Sequence, residues 1–181
     1  MIKKDLKRIF EETAKHQQEH KCGSYPYESA SLLPDLISHV KARRILELGT
    51  GLGYTASVMA SSEKQVHIDT IDRDRQHMQM AKKNWEELGL SAQITDYLDK
   101  AEVVLPNLTG PYDLIFFDGH TPSMKFLMQF GRLLKKGGLL VTANMFLRDE
   151  TGGKYLRQLR KYKKWQVDIV ADTAIAKKFF E

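Results

Sequence analysis

At 181 residues, with 42% hydrophobic and 28% charged side chains, the chain suits one domain with a sizeable core and is not a disordered segment. No apolar run reaches the ~20 residues of a membrane span, and a single cysteine, Cys22, excludes an intramolecular disulfide, which suits a reducing cytoplasm. The net charge of +5 favours either an anionic partner or a solvated basic surface, and the charge spread over residues 1–20 argues against a signal peptide.

Ile2, Leu6, Ile9, Phe10 and Thr13 recur at helical spacing and predict an amphipathic helix over 2–20. His16 and His20 share one face of it; no third metal ligand is evident nearby, so a solvated face is expected. Residues 21–27, with Gly23 and Pro26, read as a loop. A second helix is expected over 28–40, with Leu32, Leu33, Leu36 and Ile37 inward; Pro34 is tolerable only in its first turn. Residues 1–40 thus read as a helical cap on a core of 41–181.

The core alternates strand and helix. Strands are predicted at 44–48, 66–72, 92–95, 112–117 and 139–143, with helices at 54–60, 74–88, 101–105, 122–134 and 151–162 between or after them. Gly89 ends one helix, and Lys135 to Gly138 read as the exit of another. Two last strands, 165–170 and 173–179, flank a tight Ala171-Asp172 turn. The expected fold is α/β: a Rossmann-like, doubly wound, mostly parallel seven-stranded sheet with a C-terminal antiparallel hairpin and helices on both faces.

Chemistry in such sheets gathers at the carboxyl ends of the strands. After the first strand comes Gly49-Thr50-Gly51-Leu52-Gly53, then Tyr54. Glycines there let backbone N–H groups approach a ligand without an intervening Cβ. Glu47, two residues before the first glycine, can accept hydrogen bonds from an ammonium or from water. Asp72, followed by Arg73, stands about 20 residues past the glycines, where an acid accepts from ribose hydroxyls. Asp96, Asp99 and Lys100 follow the third strand and could face an adenine amino group. Asp118, followed by Gly119 and His120, ends the buried fourth strand, and a carboxylate there faces a ligand cavity, not the core. Asn144 follows the fifth.

An acid two residues before Gly-x-Gly-x-Gly resembles motif I of the class I S-adenosylmethionine-dependent methyltransferases. More of the chain is similar to the cation-dependent O-methyltransferase family of catechol and caffeoyl-CoA O-methyltransferases and their small bacterial members. The matching pieces are LELGTGLGYTA at 46–56, TIDRD at 70–74, AEVVLPNL at 101–108, YDLIFFDG at 112–119 and LLKKGGLLVTAN at 133–144; YESASLL at 27–33 resembles the helix that closes over the donor. The resemblance implies S-adenosylmethionine held by Glu47, Gly49, Tyr54 and Asp72; position in the glycine turn or just after a strand adds Thr50, Gly51, Gly53, Arg73, Asp99 and Asp118 as candidate donor contacts. The resemblance also implies Asp118 and Asn144 as ligands of Mg²⁺, a small-molecule hydroxyl as acceptor, and a homodimer with the N-terminal helix as a contact. Asp118 is expected nearest the methyl, and His120 beside it is a second candidate catalytic group because an imidazole takes a proton near neutral pH.

Three departures stand out. Ala143-Asn144 replaces the family's Asp-Asn, so one cation carboxylate is missing. Thr121 replaces its lysine, and Asp99-Lys100-Ala101 displaces its Gly-Asp-Ala. Three rival readings follow. Lys154, Arg157, Arg160, Lys161, Lys163 and Lys164, with Tyr155, Tyr162 and Trp165 among them, could bind tRNA or another RNA, although Tyr155, Leu159 and Tyr162 also share a core-type spacing. An NAD-linked oxidoreductase is opposed by Tyr54 in place of the third fingerprint glycine and by the hairpin. A non-catalytic donor-binding relative would account for the missing carboxylate and lysine.

Overall fold

Seven short strands pair into one sheet, with the most buried of them, Arg44–Leu48 and Tyr112–Phe117, at its centre. The computed structural model describes residues 2–118, 122–145, 149–161 and 165–179. Its strands are β1 (Arg44–Leu48), β2 (His67–Asp72), β3 (Ile94–Leu98), β4 (Tyr112–Phe117), β5 (Leu134–Thr142), β6 (Trp165–Val170) and β7 (Thr173–Lys178). They lie in the order β3-β2-β1-β4-β5-β7-β6. The first five are parallel; β7 enters antiparallel between β5 and β6. This is the mostly parallel sheet with a closing antiparallel hairpin that the residue pattern implies. Strand order reverses between β1 and β4, which opens a crevice at their carboxyl ends.

The helices are α1 (Ile2–His20), α2 (Leu32–Val40), α3 (Tyr54–Ser62), α4 (Arg75–Leu88), α5 (Ala101–Val104), α6 (Met124–Leu133) and α7 (Asp149–Lys161). Alternation along β4 divides the core. Leu114 and Phe116 join the cluster that packs Leu33, Ile37, Met59, Met78 and Trp85 of α2, α3 and α4. Ile115 and Phe117 join the opposite cluster, with Leu127 and Phe130 of α6 and Tyr155 and Leu159 of α7. Burying a strand on both faces requires such a continuous apolar run. Helix α1 buries Ile9, Thr13 and His16, and Arg8 ties it to α4 through Glu87 at 2.8 Å.

Several boundaries differ from the expected ones for local reasons. Helix α2 starts at Leu32, with residues 28–31 in a turn, so Pro34 falls in the first turn, where its missing N–H is harmless. Strand β3 runs to Leu98, which puts Asp96 inside the strand, paired with Lys82 at 2.8 Å instead of facing a ligand. Strand β5 begins at Leu134, so Lys135 to Gly138 lie in the strand and not in a helix exit. The β4–β5 register shifts there, between Tyr112 and Leu114. Gly138 passes so close to β4 that a Cβ would stand 2.8 Å from the Asp113 carbonyl oxygen.

Candidate active site

The crevice at the strand ends holds a cavity of about 350 Å³. Its floor is the turn after β1, with Gly49, Thr50, Gly51 and Tyr54. One wall is Asp72, Arg73, Asp74 and His77 from the β2–α4 junction. Asp118 closes the end of β4, and residues 22–27 with Thr13 of α1 form the outer side. Chain order explains the convergence: most of these groups lie at the carboxyl end of a strand, in the turn or first helical residues that follow it, or on the cap above.

Gly49 is required by both conformation and contact. Its φ is +95°, and a Cβ would stand 2.6 Å from the carbonyl oxygen of Asp118. The bare backbone therefore lets β1 and β4 meet at the cavity. Gly53 has a different duty. At φ +81° it lies against α4, where a Cβ would meet Trp85 Nε1 at 2.6 Å. It does not line the cavity; it lets α3 pack on α4.

Asp72 is held ionised. Its Oδ2 accepts the Gly51 N–H at 2.9 Å and its Oδ1 the Asp74 N–H at 2.9 Å. His77 Nδ1 lies 3.9 Å from Oδ2. Burial alone raises a carboxyl's proton affinity, but here the His77 and backbone hydrogen bonds outweigh it and the Asp72 pKa is lowered. In return Asp72 pushes the His77 pKa up to about 9. Tyr54 is partly buried and packs edge-on against Phe10 of α1, ring centres 5.3 Å apart, which fixes its ring at the cavity.

Glu47 is fully buried behind the turn. The hydroxyls of Thr55 and Thr70 donate to its two oxygens, and the Thr50 and Thr70 hydroxyls are hydrogen-bonded at 2.7 Å. Burial pushes its pKa up to about 8. Glu47 therefore stands one layer back from the cavity, supporting Thr50 and Thr55, which do line it.

Asp118 faces the cavity, and Asn144 Nδ2 donates to its Oδ1 at 2.7 Å. Burial and the nearby Asp172 charge raise its pKa to about 7 against that hydrogen bond. Asn144 sits at φ +55°, a left-handed position that Asn tolerates. Ala143, where a second acid would stand, is fully buried. Tyr27 is nearly fully buried against Phe116 and shares a hydrogen bond of 2.7 Å with the Thr173 hydroxyl; it joins the cap to the hairpin beside Asp118.

Gly49, Thr50, Gly51, Tyr54, Asp72, Arg73 and Asp118 thus meet in one cavity. Glu47 and Gly53 support it from behind. Asp99 lines a separate depression with Arg73, Asp74, Arg75 and Lys100. His120 lies outside the described residues, as do Gly119 and Thr121. Sequence reading missed Thr55, His77, Cys22, Ser24 and Asp172. His77, Cys22 and Ser24 come from a helix face and a loop whose approach to the cavity leaves no periodic signal, and Asp172 acts on Asp118 from the hairpin turn. The third partner that His16 lacked in sequence is also here: Cys22 and His77 approach it, their candidate ligand atoms all within 4.8 Å of one another. On α7, Tyr155 and Leu159 are core, and the Tyr155 hydroxyl is hydrogen-bonded to Thr142 at 2.7 Å; Lys154, Arg157, Arg160 and Lys161 are exposed. Tyr162, Lys163 and Lys164 lie outside the described residues.

A doubly wound sheet closed by an antiparallel hairpin, with a glycine turn and two acids around one crevice, is the methyltransferase variant of the Rossmann-like fold. Residues 2–169 match the O-methyltransferase family, and the chain belongs to it. It is 35% identical to a catechol O-methyltransferase of Niastella koreensis over 114 residues, 60% of this chain and 52% of that protein. The chain spans about half the length of the curated relatives it matches. In fold it is similar to the O-methyltransferase TomG from Streptomyces achromogenes, solved in complex with SAM. The TM-score is 0.82 at 20% identity, covering 95% of this chain and 90% of TomG. An O-methyltransferase from Bacillus cereus, in complex with SAH, gives a TM-score of 0.79 at 16% identity, covering 97% and 91%.

Proposed function

We propose that this chain transfers a methyl group from S-adenosylmethionine to a hydroxyl oxygen of a small molecule. The observation that carries the reading is the convergence of Asp72 and Asp118 on one cavity floored by the Gly49–Leu52 turn. The residues fit the donor. Asp72 is ionised and aimed into the cavity, as ribose hydroxyls require. The Gly49 backbone leaves the space beside Asp118 that a Cβ would fill, and the acids suit a donor carrying an ammonium and a sulfonium.

When bound, the donor supplies a methyl group on a positively charged sulfur, open to in-line displacement. The protein's work is then positioning and proton removal. Tyr54 and the glycine turn orient the donor; Asp72 anchors its sugar. Asp118 takes the acceptor's hydroxyl proton, a task matched to a carboxylate with a pKa of about 7. Asn144 holds the carboxylate in place. Glu47 keeps Thr50 and Thr55 in register and touches no reacting atom.

Among the described residues, the set at Asp118 and Asn144 does not fit a hard cation. The Asn144 amide turns its N–H to Asp118, and Ala143 offers no oxygen. No step is routed through Mg²⁺.

Calorimetric titration with S-adenosylmethionine and with its demethylated product tests the donor; absence of binding to both overturns the reading. Catechol is the first acceptor to assay, by mass of the methylated product. Adding Mg²⁺ to metal-stripped protein should leave turnover unchanged; a large activation would reinstate the cation. An intracellular homodimer contacting through α1 completes the proposal, and sedimentation measures the assembly directly.

A further inference from the structure

We propose that His16, Cys22 and His77 form a soft transition-metal site, suited to Zn²⁺, on the rim of the cavity. The three residues come from three separate parts of the fold. His16 lies on the buried face of α1, Cys22 in the loop that follows, and His77 in the first turns of α4. Their candidate ligand atoms all lie within 4.8 Å of one another. Tetrahedral zinc bonds of about 2.0–2.3 Å would place such atoms about 3.3–3.6 Å apart, so the cluster needs to close by only about 1 Å. The rings of His16 and His77 already meet edge to face, with centres 5.1 Å apart.

The chemistry of the set is selective. Two imidazoles and one thiolate suit Zn²⁺ and discriminate against Mg²⁺ and Ca²⁺, which take oxygen ligands. Behind His77 stands Asp72, with Oδ2 at 3.9 Å from Nδ1, the carboxylate support common behind metal-bound histidines. Charge also balances, since a divalent ion would be met by the Cys22 thiolate and by the Asp72 and Asp74 carboxylates close by. Cys22 and His77 line the cavity, so the fourth position opens toward it. Bound metal would fasten the end of α1 and the loop after it to the start of α4 and hold the cap closed. That last consequence rests on the proposed donor site; the metal site itself does not.

The test uses untagged full-length protein, stripped by chelation and titrated with Co²⁺ alone and then Zn²⁺. One equivalent of Co²⁺ should bind with a near-ultraviolet thiolate-to-cobalt band and strong four-coordinate visible bands, and Zn²⁺ should displace it. Cys22→Ser should abolish the thiolate band. His16→Ala and His77→Gln should each weaken Zn²⁺ binding by about tenfold or more, while His20→Ala and the exposed His39→Ala should leave it unchanged. Should a variant misfold, protection of Cys22 in the intact protein from a thiol reagent by Zn²⁺ gives the same answer. An absent thiolate band in the unaltered protein, unchanged Zn²⁺ affinity in Cys22→Ser, or loss of the metal through His20→Ala instead of His77→Gln overturns the proposal. Donor titration is run separately, so a failed donor reading leaves the metal result standing.

Discussion

Asp118 balances opposing forces that one substitution can separate. Burial and Asp172 favour its protonated form, and Asn144 favours its charge. In the proposed role of proton acceptor it works only when ionised, so turnover should rise with pH through about 7 and level off above. Asp118→Asn should remove that limb and lower turnover by roughly 10²- to 10⁴-fold, a larger loss than any in donor affinity; a pH–rate profile with parallel calorimetry measures both. Asp72→Ala deletes a charged acceptor, worth about 1.5–3 kcal/mol per hydrogen bond. Donor affinity should fall about tenfold or more in calorimetry. Asp72 and Asp118 were both legible in the sequence because Asp72 ends β2 about 20 residues past the glycines and Asp118 directly follows the apolar β4. The burial of Glu47 on Thr55 and Thr70 was not, since the pairing with Thr70 crosses from one strand to the next. Nor was the approach of Asp172 to Asp118, which depends on where β7 inserts.

Local elements carry the next set of consequences. The β1 turn is fixed by a glycine that cannot be replaced cheaply. Gly49→Ala adds a left-handed alanine and a collision with the Asp118 carbonyl. It should cost at least about 1–3 kcal/mol, visible as a lowered denaturation midpoint, and should impair donor binding as well. At the head of α4, Asp74 caps the Gln76 and His77 N–H groups, and Asp72 pairs with the His77 ring. Folding raises the His77 pKa from near 6.5 to about 9. The stabilisation is therefore complete below about 6.5 and disappears as pH rises through about 9. Denaturant midpoints of metal-stripped protein should fall across that window, and His77→Gln should flatten the slope. Helix identity was readable from the apolar period and, for α4, from the Gly89 stop, while the capping role of Asp74, expected inside the helix, is seen only in the structure. The edges of α2 and β5 were not, because a local turn at 28–31 and a register shift against Asp113 set them.

Across the whole molecule, the two core clusters divide the labour. One packs the cap and α3 and α4 over the cavity side of the sheet; the other packs α6 and α7 beneath. Phe116 belongs to the first and touches Tyr27, so Phe116→Ala should cost about 3–5 kcal/mol and loosen the cap at the same time. The alternation of strand and helix made the parallel sheet legible, and the turn at Ala171 and Asp172 made the hairpin so. The seating of the basic helix was open in the sequence: Tyr155 is core, while four cations, Lys154, Arg157, Arg160 and Lys161, face outward.

The insertion of β7 between β5 and β6 has a consequence for biosynthesis. β5 is made well before its neighbour, since Leu139 waits for Lys177 and Thr142 for Ala174. Until the hairpin emerges from the ribosome, one margin of β5 offers unpaired N–H and C=O groups to any passing extended chain. The hairpin can pair with itself at once, because its two arms are joined by two residues, and then dock as a unit. Thr173 then reaches Tyr27. The contact that completes the sheet also anchors Tyr27 in the cavity wall, so a nascent chain sets that wall and covers the β5 margin in one event.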